Sequence, residues 1–155
     1  AVTPFGFTEA EKAAKRLLAY GIEYKNVMYV MQGVLSASTM LGSAQTIESV
    51  SRALGQINTK GRLYNEEMRQ LTEAGIPAYE ILQEKLGLTQ DQLKNLAKNA
   101  VPASVAINAL VDGINERFGG VAQVSNLTMQ GLFANLKDNL LMIGSEAIQP
   151  LFNNS

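Results

Sequence analysis

The sequence contains no cysteine. That excludes a disulfide framework, a cysteine-ligated zinc site and a thiol nucleophile. It contains no histidine either, so a Ser-His-Asp triad and an imidazole general base are excluded as well. A metal ion could be held only through oxygen ligands, which leaves calcium or magnesium. Charge is also sparse: Asp, Glu, Lys and Arg make up 17% of the residues, against about 25% in a typical soluble domain. Lys plus Arg number 13 and Asp plus Glu 14, for a formal net charge of −1. The chain therefore has no cationic excess with which to neutralise phosphates or grip an anionic bilayer. Neither a specific nucleic acid nor a membrane is expected as a partner.

What remains is a chain of 155 residues, 46% of them hydrophobic, long enough for one domain with one core. No glycine-rich phosphate loop is present, because Gly113, Gly119 and Gly120 fit neither a dinucleotide fingerprint nor a P-loop. No cofactor is expected, and the composition favours binding or structure over catalysis. The chain starts at Ala1 without a methionine and without a basic flank and apolar stretch. It reads as a piece of a longer protein.

Helix punctuation runs through the sequence. Thr8 and Glu11 have the spacing of a capping box ahead of Ala13, Ala14, Leu17 and Leu18, and Gly21 supplies a stop. Asn26 is a candidate cap for a second helix bearing Val27, Val30, Met31, Val34 and Leu41, ended by Gly42 and Ser43. Thr46 is a candidate cap for a third, with Ile47, Val50, Leu54 and Ile57, ended by Gly61. Asn65 opens a fourth, closed by Gly75. Pro77 then reads as a first-turn proline for 78–86, with Gly87 past the end. Thr89 caps a helix with Leu93, Leu96 and Ala97 on its apolar side. Pro102 starts another through Val105, Ile107, Leu110, Val111 and Ile114, and Gly119-Gly120 is the clearest break. No alternation long enough for a strand is found. The expected fold is all-α, with about seven to eight mostly short helices and a longer amphipathic helix at the C-terminal end.

Residues 26–47 carry no Asp, Glu, Lys or Arg. Their count would suffice for a membrane span, but Gln32, Ser36, Ser38, Thr39 and Gln45 make lipid an expensive environment. A buried or interface helix is expected instead. The same applies to the uncharged stretch 119–136.

Few constellations could carry chemistry. Asp112 and Glu116, and likewise Glu80 and Glu84, stand at i, i+4, where two carboxylates share a helix face. Either pair could hold a cation or act as acid and base, or could simply face solvent. Ser145-Glu146 is a weaker carboxylate candidate. Glu11 with Lys15, and Glu48 with Arg52, are helix-supporting ion pairs. Lys12, Lys15 and Arg16, with Lys25 beyond, could form a basic patch. Tyr20, Tyr24 and Tyr29 could face a partner or line the edge of the core. No catalytic, cofactor-binding or metal residue is assigned.

The most regular pattern lies near the end. Met129, Phe133, Leu136, Leu140, Ile143 and Ala147 are spaced 4, 3, 4, 3 and 4 apart, close to a heptad seam. This stripe either packs within the domain or serves self-association. Residues 126–155 would then form a helix leading into an extended region.

Residues 52–63, RALGQINTKGRL, followed by Glu67, Leu71, the block EAGIP at 73–77 and Glu80 to Leu82, closely resemble one known family. So do AKRLLAYGI at 14–22 and LFANLKDNL at 132–140. All resemble the N-terminal conserved module of the tail tape measure proteins of long-tailed phages and prophages. Tyr64-Asn65 departs mildly from the small or glycine-containing pair common among relatives. The resemblance implies a non-enzymatic, largely helical component of the phage tail interior, assembled in the bacterial cytoplasm. It implies a part in setting tail length, with tail tube, tail-tip and chaperone proteins as partners, and it is compatible with a homo-oligomer. An unrelated bacterial helical adaptor and a carboxylate-based cell-wall hydrolase are the alternatives.

Overall fold

The computed structural model describes residues 6–119, together with 130, 131, 134, 135, 137 and 138. The first helix, α1, spans Gly6–Ala19, and α2 spans Tyr24–Leu41. They are followed by α3 (Ala44–Lys60), α4 (Asn65–Glu73) and α5 (Ala78–Leu86). Two short helices come next, α6 (Gln90–Lys94) and α7 (Leu96–Asn99). The last, α8 (Ala103–Ile114), runs on as a π turn over Asn115–Gly119. Among the described residues extended pairing is limited to one antiparallel bridge between Arg62 and Pro102. The fold is all-α.

The glycine stops hold: Gly21, Gly42, Gly61, Gly75 and Gly87 all have positive φ, between 67° and 102°. At Gly61 the left-handed backbone returns its N–H to the carbonyls of Ile57 and Asn58 and ends α3. The helix starts differ more from expectation. Thr8 lies inside α1, which reaches back to Gly6. Glu23, not Asn26, is the N-cap of α2; the Asn26 N–H already donates to the Glu23 carbonyl at 2.8 Å. Exposed Ser43 caps α3 by accepting from the Gln45 N–H at 3.2 Å, while Thr46 is buried within the helix. Thr89 caps α6 in a full capping box with Gln92. The helix expected to continue through Ala97 breaks at Asn95, and Ala97 is exposed. Val105 also faces outward, at 42% exposure. The break expected at Gly119-Gly120 is preceded by the π turn, which carries α8 to Gly119.

The core forms around α2. Residues 33–38 are all buried, and six consecutive residues exceed one helical turn. No face of α2 is left for solvent there. It is enclosed by α1, α3, α8 and the π turn. Hydroxyls at its end turn back on their own helix: Ser38 Oγ and Thr39 Oγ1 donate to the Leu35 carbonyl at 3.0 and 2.8 Å. This accounts for the uncharged run without a bilayer. No helix among the described residues is long and apolar enough to cross a membrane.

Two mid-helix glycines mark close approaches. Tyr20 packs onto Gly55 of α3, and Ile81 of α5 packs onto Gly113 of α8; a Cβ at either glycine would collide with that side chain. Glycine here costs about 1 kcal/mol of helix propensity, offset by closer packing.

The terminal stripe Met129, Phe133, Leu136, Leu140, Ile143 and Ala147 lies outside the described residues. Gln130, Gly131, Ala134, Asn135, Lys137 and Asp138 are helical and exposed.

Gly55→Ala and Gly113→Ala are expected to destabilise the chain by about 1–3 kcal/mol each through overpacking, despite alanine's better helix propensity. Urea unfolding midpoints measure this; a gain in stability at either position would contradict the packing assignment.

Candidate functional site

The carboxylates singled out in the sequence lie on α5, on α8 and on the π turn, and the fold distributes them among separate partners. Arg117 Nη2 stands 3.0 Å from Glu84 Oε1 and 3.6 Å from Glu80 Oε1. Lys85 pairs with Glu116. Asp112 accepts a hydrogen bond from the Tyr29 hydroxyl, which also lies 3.1 Å from the Asn108 carbonyl. Burial, then the bond to Asp112, raises the Tyr29 pKa well above the ordinary phenol value. Asp112 and Glu116 therefore do not act as a pair, and Glu80 and Glu84 share a guanidinium. Among the described residues no group of three or more carboxylates could hold a metal ion. Ser145 and Glu146 lie outside them.

The basic residues of α1 do not gather into a patch. Lys15 pairs with Glu11 at 3.5 Å, and Lys25 with Glu23 at 3.3 Å. Arg16 donates to Ser51 Oγ at 3.0 Å. Lys12 and Arg16 line one groove together with Glu9 and Glu48, so acid is interleaved with base there. Glu48 in turn pairs with Arg52, as its spacing implies. The tyrosines line internal edges: Tyr20 covers Gly55, Tyr29 holds Asp112, and the pKa of half-buried Tyr24 is raised by burial and then by the nearby Asp138.

The densest polar cluster lies instead at the α3–α4 junction, inside the block 52–77. Lys60 Nζ donates to Glu67 Oε2 at 2.7 Å and to Glu66 Oε2 at 3.0 Å. Glu67 is fully buried, and its Oε1 finds no partner among the described residues. Hydrogen bonds to Glu67 and then Glu66 raise the Lys60 pKa, and the bond from Lys60 lowers that of Glu66. Lys60 and Arg62 both lie over the Tyr64 ring, 5.4 and 5.2 Å from its centre. Arg62 Nε also donates to the Tyr64 hydroxyl at 2.9 Å. The intervening backbone is pinned to the start of α8: Leu63 N–H donates to the Val101 carbonyl at 2.9 Å, and Ala103 N–H to that of Gly61 at 3.0 Å.

Asn65, expected to open α4, does more than that. Its Nδ2 donates to the Tyr79 hydroxyl at 3.0 Å and to the Leu93 carbonyl at 2.8 Å, and its Oδ1 accepts from Leu96 N–H at 3.2 Å. A shallow depression beside it is lined by Lys60, Tyr64, Asn65, Glu66 and Ala97. Sequence reasoning placed Asn65 and Glu67 at the start of α4 and missed what each does in the junction. The signal for Glu67 was its place at four-residue spacing between Leu63 and Leu71, an acid on an apolar stripe. Asn65 had no local signal, because its partners lie 14, 28 and 31 residues away. The cluster can cross-brace and present a surface; it offers no nucleophile paired with a base.

Lys60→Met should destabilise the chain by about 2–4 kcal/mol, because it leaves the buried Glu67 charge without its counter-ion. Lys60→Met combined with Glu67→Leu should recover most of that loss. The raised Lys60 pKa means its stabilisation is full below the usual lysine range and fades as pH rises through and beyond it. Urea titrations from pH 7 to 11 measure both effects; equal stability of the Lys60→Met chain and the parent at pH 7 would contradict the brace.

Comparison with curated proteins returned no match, and neither did comparison with solved structures. A family model described as tape measure protein matches residues 1–149. That match spans nearly the whole chain, α1 through the π turn included, and contains the block 52–77 that builds the braced junction. The chain belongs to the tape measure protein family.

Proposed function

We propose that this chain is a folded contact module of a phage tail tape measure protein, acting in tail assembly and tail length determination through protein–protein contacts. Tail tube, tail-tip and chaperone proteins are the partners this reading names, and the interior of the tail is its place. The observation that carries the reading is the folding-back of the chain around α2, closed by the Arg62–Pro102 bridge. As one continuous helix, residues 6–119 would reach about 170 Å at about 1.5 Å per residue. The longest helix among the described residues has 18 residues, about 27 Å. Such a unit adds little to a ruler. It offers instead a folded body with a cross-braced surface at the α3–α4 junction.

A structural role also fits the chemistry. Asp112, Glu116, Glu80 and Glu84 are engaged by Tyr29, Lys85 and Arg117. The sequence supplies neither the thiol nor the imidazole that would activate an alternative nucleophile.

An in-frame deletion of 6–119 from the tape measure gene, with the downstream chain intact, should reduce the number of assembled tails. Electron microscopy of the tails that do form should show lengths close to normal. Tails uniformly shorter by about 170 Å, the full helical length of the deleted residues, would overturn the reading. The purified chain should release no material from peptidoglycan. Release that is lost in Asp112→Asn or Glu146→Gln would instead establish a carboxylate hydrolase.

A further inference from the structure

Residues 87–100 differ in construction from the rest of the fold. Their two helices have 5 and 4 residues, far below the length at which a helix is stable by itself. Their polar contacts are mostly internal. Thr89 and Gln92 cap each other, and Asn99 Nδ2 donates to the Gln92 and Asn95 carbonyls at 3.3 and 2.8 Å. Leu93 and Leu96 are the two side chains of α6 and α7 that are buried.

Both ends of the segment carry left-handed backbone. At the first end it is Gly87, with φ 67°. At the second it is Ala100, with φ 49°, which among the described residues is the one non-glycine at positive φ. Alanine there is strained, because its Cβ crowds the carbonyl in this conformation. Beyond Ala100 the chain is immediately fixed, by Val101 to Leu63 and by Ala103 to Gly61.

Between these ends one side chain ties the segment down. At the Asn95 break, Leu96 N–H has lost its helical acceptor, and the Leu93 carbonyl takes Asn65 Nδ2. The carboxamide of Asn65 serves both groups at once, at 3.2 and 2.8 Å, and Tyr79 of α5 holds the amide in place at 3.0 Å. Among the described residues, every hydrogen bond from 88–100 to the body outside 87–101 runs through Asn65.

We infer that residues 87–100 form a strap that opens as a unit while the α1–α3 and α8 core stays folded, with Asn65 as its latch and Gly87 and Ala100 as its hinges. Opening frees the Asn65 carboxamide, uncovers Leu93 and Leu96, and widens the depression bounded by Lys60, Tyr64 and Ala97.

Hydrogen exchange on the whole 155-residue chain, read peptide by peptide, tests this. The amides of Leu93, Lys98 and Ala100, which donate within the strap, should exchange at least tenfold faster than those of α2 and α8. Asn65→Ala should speed them about tenfold further and leave α2 and α8 unchanged. Ala100→Gly relieves the strained hinge and should slow the same amides about three- to tenfold. Equal protection of strap and core in the parent chain would overturn the proposal. So would Ala100→Gly slowing strap and core alike, an outcome that stays readable if Asn65→Ala fails to fold.

Discussion

The fold depends on a helix with no outside. From Gly33 to Ser38, α2 is buried on every side, so it is stable only when α1, α3, α8 and the π turn surround it. The apolar transfer term supplies the drive, and the hydroxyls of Ser38 and Thr39 bond back to their own helix and make no demand on the neighbours. Close approach is secured by absence of bulk. At Gly33 a Cβ would stand 3.1 Å from Val111 Cγ1, so α8 can lie against α2 along its backbone. The ion pairs are secondary to this arrangement. They sit at the outer seams, where Lys60 joins α3 to α4 and Arg117 joins the π turn to α5.

This division of labour explains what the sequence makes legible. Helix ends written in local chemistry were mostly readable: the glycine stops, the Thr89 cap and the starts at Pro77 and Pro102 depend on residues within a turn of one another, although Pro77 stands at the N-cap of α5 rather than in its first turn and Thr8 lies inside α1. Where the sequence offered Thr46 as the cap of α3, the tertiary structure decided otherwise: Thr46 is buried within the helix, and Ser43, read as part of the stop of α2, caps it. The reading of 26–47 as a buried helix rather than a membrane span also held, since the uncharged stretch is α2 together with the first turn of α3.

The candidate site was less legible, and for a physical reason. Paired carboxylates at i, i+4 look alike whether they bind a metal or meet a guanidinium; only the neighbouring helix decides, and here it brings Lys85 and Arg117. Gly55 and Gly113 look like weak points until Tyr20 and Ile81 are in view. Asn65 looks like an ordinary helix start until the Asn95 break is placed beside it. The family, by contrast, was legible from the block at 52–77, the same block that carries the close packing at Gly55 and the Lys60–Glu67 brace. The heptad stripe at the end of the chain lies outside the described residues.

The charge-free centre has a consequence for how the domain meets changing conditions. Between Asn26 and Ile47 the one titratable side chain is Tyr29, and its proton is held more tightly than in water. Acid thus has nothing to protonate in the middle of the molecule. It acts instead at the α3–α4 seam, where the bond from Lys60 holds the Glu66 carboxyl below its ordinary range, so the stability it adds is lost as pH falls through that lowered value. A drop in pH thus loosens the Lys60–Glu66 pair at that joint and leaves the hydrophobic packing that encloses α2 untouched.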